Sequence, residues 1–324
     1  MSLARPRAVH ALMSGLIDYA GLFPPAKLSM AASVEQYATY AASPESWMLG
    51  RFILPVSRIE EFRKAAATHL PRAHDENAPG GWPISAIIDG DLDENLDSIF
   101  AFNHEHQNPA RGLAVIDAAE IKVPFAADGL TPDAEFIDDA VERIPEEIYP
   151  FFEIPILAAK PGDPVPDPRG CISALAGAES AAKVRTGGLT PESIPATRAL
   201  AAFLVACHAA EVPFKATAGL HHAVRAQHPL TYEPGCPRSV MHGFLNVFTA
   251  AAMLLAHRID EPTVQRILDE TNPRRFAFSE GALTWDRLTI DTMQLERARE
   301  LFALSYGSCS FTEPVEELRA LGVI

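Results

Sequence analysis

A chain of 324 residues with 48% hydrophobic and 21% charged content can build a large core, as one big domain or two ordinary ones. Its net charge of −15 comes without a basic stripe, which argues against nucleic acid as a partner. No apolar run reaches the roughly 18 residues of a membrane span, and four scattered cysteines with no CxxC pair suit reduced thiols in a cytoplasmic protein.

The first segment, MSLARPRAVHALMSGLIDYAGLF, has basic residues and then apolar ones. His10 and Asp18 interrupt the apolar part, so it reads as a helix and not as a leader peptide. Strands are expected at Met48–Val56, Pro83–Asp89, Gly112–Pro124, Tyr149–Ile156, Ala181–Thr186 and Pro213–Ala218. Gly243–Phe248 and Arg275–Phe278 carry weaker strand signals. Between them, IEEFRKAAATHL and DAEFIDDAVERI repeat apolar residues at helical spacing. TRALAAFLVACHAAE puts Leu200, Phe203, Leu204 and Cys207 on one helix face.

Strand and helix alternate, which predicts a parallel sheet. About eight such units in roughly 240 residues fit an α/β (β/α)8 TIM-type barrel. The expected organisation is a single domain over 1–324, with an N-terminal extension over 1–46 and a C-terminal extension over about 283–324. An open doubly wound sheet ranks second, because no G-x-G-x-x-G turn follows the first strand.

Four consecutive strands carry charge on alternate residues. Glu120 and Lys122 oppose Ile121 and Val123; Glu153 opposes Phe152 and Ile154; Lys183 and Arg185 oppose Ala182 and Val184; Lys215 and Thr217 oppose Phe214 and Ala216. In a barrel the charged face is the interior, and its C-terminal end is where such enzymes place their sites. Two carboxylates against four cations leave an excess of positive charge, which suits a small anionic substrate. Arg185 would grip a phosphate or carboxylate with its planar fork. Gly187, Gly188 and Gly219 end the two lysine strands and let backbone N–H groups approach a ligand. Thr186 stands beside them. Two neighbouring lysines disfavour each other's protonation, so one could act as a neutral amine on a carbonyl, with Glu153 or Glu120 moving protons.

At this point the residues support a comparison. KVRTGG, one helix, and then FKATAGL resemble the paired lysine strands of deoxyribose-phosphate aldolase, a class I aldolase with a (β/α)8 barrel. The resemblance implies a Schiff base on Lys183 and Lys215 as the group that lowers its pKa. The family has these as strands six and seven; counted from Met48–Val56 they are five and six here. It spans about 40 residues. The rest of the chain, with DYAGLFPPA, MHGFLNVF and SYGSCSFTEPV, looks like an uncharacterised bacterial protein family.

Other polar groups complete the expectations. His221 and His222 follow the Lys215 strand, and His242 and Asn246 lie in MHGFLN; all four are candidate substrate contacts. A thiol nucleophile at Cys309 and a helix cap at Glu313 are further readings. His104 and His106 read as solvated loop residues. DYAGLFPPA either closes the barrel or reaches over the site.

The leading expectation is therefore a lyase of aldolase type, cofactor-free, acting on a small anionic carbonyl compound. Lys183, Lys215, Glu153 and Glu120 would be catalytic, with Lys122 among the substrate contacts. The alternatives are a divalent-metal enzyme using His221 or His222, His242 and Glu153, and a non-catalytic binding barrel. Self-association into a homo-oligomer stays open.

Overall fold

A computed structural model describes residues 6–72, 81–160 and 162–324. Its strands are β1 (Ile17–Tyr19), β2 (Leu49–Pro55), β3 (Trp82–Ile87), β4 (Ala114–Lys122), β5 (Tyr149–Glu153), β6 (Ala181–Arg185), β7 (Phe214–Thr217), β8 (Ala226–Pro229), β9 (Arg238–Met241), β10 (Phe276–Phe278), β11 (Ala282–Trp285), β12 (Leu288–Asp291) and β13 (Ala303–Ser308). Strands β1 to β7 and β13 close an all-parallel barrel, with β13 between β7 and β1. The α/β (β/α)8 architecture read from the sequence is the architecture of the molecule.

Two of the eight staves come from unexpected places. The segments 1–46 and 283–324, read as extensions outside the barrel, supply β1 and β13. β1 is only three residues long and wholly buried, too short for alternation to register. β13, with sequence ALSYGS, is rich in small and polar residues.

The two weaker strand signals have other roles. GFLNVF opens the helix Phe244–His257, where every residue from Phe244 to Leu254 is buried. A helix apolar on all sides cannot be told from a buried strand by periodicity. Phe276–Phe278 belongs to the antiparallel sheet β10–β11–β12. That sheet packs on the helices Arg7–Met13 and Phe244–His257. β8 and β9 form a hairpin inserted between β7 and the helix Phe244–His257.

The new count matters for the site, because the two lysine strands become staves six and seven. Helix starts follow side-chain caps: Asp91 accepts from the N–H groups of Asp93 and Glu94, and Asp291 forms a capping box with Gln294. His106 ends the helix Leu92–His106, buried and bonded through Nδ1 to Gly112 O at 2.8 Å, and so is not a solvated loop residue.

Alternation along the staves sorts the chain into two cores. The outward residues Ile121, Phe152, Ala182, Val184, Phe214 and Ala216 pack under the helices. Inside the barrel, Ala118, Phe151 and Ala181 form a separate small apolar cluster. The charged residues come two positions further along the same staves, on the same face. The barrel interior is thus an apolar plug with a layer of charge above it.

Candidate functional site

The charged layer is a continuous chain of ion pairs. Lys215 Nζ lies 2.6 Å from Asp18 Oδ2 and 2.5 Å from Glu120 Oε1. Lys183 Nζ lies 2.8 Å from Glu120 Oε2 and 2.6 Å from Glu153 Oε2. Arg185 Nη1 stands 3.7 Å from Glu153 Oε1 at the exposed end. Register places the links: Glu153 is opposite Lys183, and Lys183 is opposite Lys215.

Neutral donors fix the carboxylates. Ser85 Oγ donates to Glu120 at 2.9 Å. Ser305 Oγ and the backbone N–H of Arg51 donate to Asp18, each at 2.7 Å. Lys215 Nζ also sits 5.1 Å from the centre of the Phe151 ring, on top of the apolar plug.

This arrangement corrects two expectations. Asp18 enters the cluster and Lys122 is exposed, so three carboxylates face two buried lysines and Arg185, and the cluster carries no excess positive charge. Nor do the lysines simply repel each other's protons, because Glu120 stands between them. Burial alone would lower the pKa of Lys183, but Glu120 and Glu153 beside it raise the value overall. Burial would raise Glu120, but Lys183 and Lys215 pull it from 4.5 to about 2. Glu153 is lowered against its burial by Lys183 and Arg185. In the free protein Lys183 is an ammonium with a proton acceptor on either side.

Above the layer lies a cavity of about 380 Å³ at the C-terminal end of the staves. Small-molecule sites run from roughly 300 to 1,000 Å³. Lys183, Glu120, Glu153, Lys122 and Arg185 line it, with Thr217, Gly188, Gly219 and His221. Lys215 is 0% exposed and lies behind Lys183, outside the wall. DYAGLFPPA does both things expected of it. Asp18 and Tyr19 are in stave one, and Phe23, Pro24 and Pro25 continue into the cavity wall.

Five expected contacts lie elsewhere. Thr186 Oγ1 donates to the carbonyls of Ala218 and Thr217 and ties stave six to stave seven. Gly187 allows close approach of the next loop, since a Cβ there would stand 2.9 Å from Gly219 Cα. His222 Nδ1 is 2.5 Å from Glu317 Oε1, and its ring stacks on His228. His242 Nε2 bonds to Pro195 O at 2.8 Å; burial lowers its pKa to about 4. Asn246 accepts from Arg225 N–H and donates to Ile267 O and Glu270 O, all within the fold.

His221 is the histidine that reaches the cavity. Its Nδ1 is 3.3 Å from Glu313 Oε2 and 3.9 Å from Cys309 Sγ. Burial would lower its pKa, but Cys309 and Glu313 raise it to about 9. Glu313 therefore partners His221 and Tyr232 and does not cap the last helix, Thr312–Ala320. Among the described residues, no three His, Cys, Asp or Glu side chains are placed to share a metal ion. The set proposed for a metal is split: His222 and His242 are held by Glu317 and Pro195, and Glu153 by Lys183.

Sequence reasoning missed Asp18, Ser85 and Ser305 as parts of the cluster. Asp18 had a signal: an acid within an apolar run, beside a strand-forming tyrosine. All four cysteines are free, and among the described residues no helix is long and apolar enough to cross a membrane. Compared with known families and curated proteins, the chain matches no family model and no curated sequence.

Proposed function

We propose that the protein is a lyase of aldolase type acting on a small anionic carbonyl compound, with Lys183 as the Schiff-base lysine. The observation that carries this reading is the position of Lys183. It is an amine at the floor of the cavity, with Glu153 and Glu120 within 2.6 and 2.8 Å to take its proton. Staves six and seven are also where the aldolase resemblance puts paired lysines.

The chemistry balances with these groups alone. Lys183 passes a proton to Glu153, and the freed amine adds to the carbonyl carbon. The carbonyl oxygen leaves as water with two protons that began on the ammonium, one returned through Glu153. The third proton stays on the iminium nitrogen, and Glu153 is again a carboxylate. A carboxylate, Glu153, then takes the proton of the substrate's β-hydroxyl. The bond between the α and β carbons breaks, its electron pair moves toward the iminium to give an enamine, and the β carbon leaves as an aldehyde or ketone. Glu153 returns the proton to the α carbon, and one water hydrolyses the resulting iminium to free Lys183 and the second product. Asp18, Lys215 and Glu120 hold the floor of the site in register. Lys122 and Arg185, exposed at the rim, suit the substrate's oxyanion.

Incubation with anionic aldehydes and ketones, then borohydride, should add the mass of the reduced adduct to the wild type and not to Lys183→Ala. A panel that leaves no adduct would overturn the reading. A second reading, a non-catalytic binding barrel, draws on the mutual satisfaction of the buried charges. Tight ligand binding with no adduct and no turnover would select it.

A further inference from the structure

The carboxylates, lysines and arginine of the cavity wall come from three neighbouring staves, and Leu189, Leu230 and Met241 add apolar surface outside β1–β3. β4, β5 and β6 bring Glu120, Lys122, Glu153, Lys183 and Arg185. On the other side, β1, β2, β3 and their loops bring Phe23, Pro24, Pro25, Ile53, Ile87 and Ile88. Among the described residues, these three neighbouring staves put no charged side chain into the wall. Phe23, Ile87 and Ile88 are only half-buried, so the cavity leaves apolar surface open to water. Covering such surface is favourable in proportion to its area.

A ligand that fills this cavity must match both halves. A polyhydroxylated chain would set its hydroxyls against isoleucine, phenylalanine and proline, where they would lose water and gain no partner. A hydrocarbon body loses nothing there. The polar groups stand away from β1–β3: Lys183 with Glu120 and Glu153, the rim cations Lys122 and Arg185, and Thr217 and His221 at stave seven and the loop after it.

We infer that the substrate is an oxo acid with an apolar body: a carbonyl, an oxyanion and the β-hydroxyl that cleavage requires lie at the charged end, and a branched or aromatic hydrocarbon body lies against the β1–β3 wall. The place of the carbonyl rests on the proposed role of Lys183. The place of the hydrocarbon rests on the wall alone.

Two measurements keep those parts separate. Calorimetry uses acids without a keto or aldehyde group: hydrocinnamate and isocaproate against propionate and glycerol phosphate. The first two bind about tenfold tighter or better than the last two, as one or two well-packed carbons discriminate. Phe23→Ser and Ile88→Ser, at half-buried positions, each remove most of that gap. No gap, or a gap that survives both substitutions, would overturn the inference.

Borohydride trapping then compares phenylpyruvate and α-ketoisocaproate with pyruvate and glyceraldehyde phosphate. The apolar oxo acids are trapped about tenfold more efficiently. Equal or better trapping of glyceraldehyde phosphate would overturn the apolar substrate and leave the lysine in place. A calorimetric gap with no adduct from any carbonyl would overturn the lysine and leave the apolar wall in place.

Discussion

Lys215 Nζ lies 2.6 Å from Asp18 Oδ2, joining stave seven to stave one across β13. Neither group reaches water: Lys215 is 0% and Asp18 1% exposed. Removing one partner of such a pair strands a buried charge, which costs roughly 3–5 kcal/mol. Asp18→Asn and Lys215→Met should each lower stability by about that much in urea unfolding. Together they should cost less than the sum, because the double variant strands fewer charges. Additive losses would mean that the pair is not coupled.

The acid side of the stability curve should carry the mark of Glu120. Its folded pKa, about 2, lies below the ordinary 4.5. Stability from this group is complete above the unfolded value and is lost as pH falls from about 4.5 through about 2. Unfolding midpoints measured across that window should fall less steeply in Glu120→Gln than in the wild type. Parallel acid arms would contradict the assignment.

His221 should titrate in the opposite sense. Its pKa, raised from 6.5 to about 9, gives stability that is full below the ordinary value and lost as pH rises through about 9. Histidine ring resonances should place its midpoint near 9, and Glu313→Gln should bring it down. A midpoint near 6.5, or one insensitive to Glu313, would show that the pair does not form.

Two sets of residues separate binding from folding. Arg185 is half-exposed and 3.7 Å from Glu153, a geometry worth about 0–1 kcal/mol to the fold. Arg185→Ala and Lys122→Ala should leave the melting temperature almost unchanged and weaken phenylpyruvate about tenfold, the scale of one charged hydrogen bond. Asn246→Ala should do the reverse. It strands Arg225 N–H and the carbonyls of Ile267 and Glu270, at a cost of roughly 2–4 kcal/mol, while borohydride trapping of the folded fraction is unchanged.

The charged face was legible from sequence because parity is a local property. Once a strand is placed, Lys183 and Arg185 must share a side, and so must Glu120 and Lys122. What parity cannot give is depth. Lys122 and Arg185 stand two residues further along their staves than Glu120 and Lys183, and that step takes them from the buried layer to the rim. Asp18 was missed because a three-residue stave offers no period to read. His242 and Asn246 look like site residues beside a glycine turn, but of MHGFLN it is Met241, at the end of the inserted hairpin, that lines the cavity, while His242 and Asn246 turn into the start of a buried helix. Charge balance followed from the same omission: without Asp18, and with Lys122 counted as buried, the cluster looked cationic.

In the proposed reaction Lys183 is the amine that meets the carbonyl, with Lys215 behind it. Borohydride reduction in the presence of phenylpyruvate, followed by peptide mapping, tests this directly. The predicted result is a single adduct on the peptide containing Lys183, absent in Lys183→Ala and unmodified Lys215 in both. An adduct on Lys215, on Lys122 or on no lysine at all would contradict it.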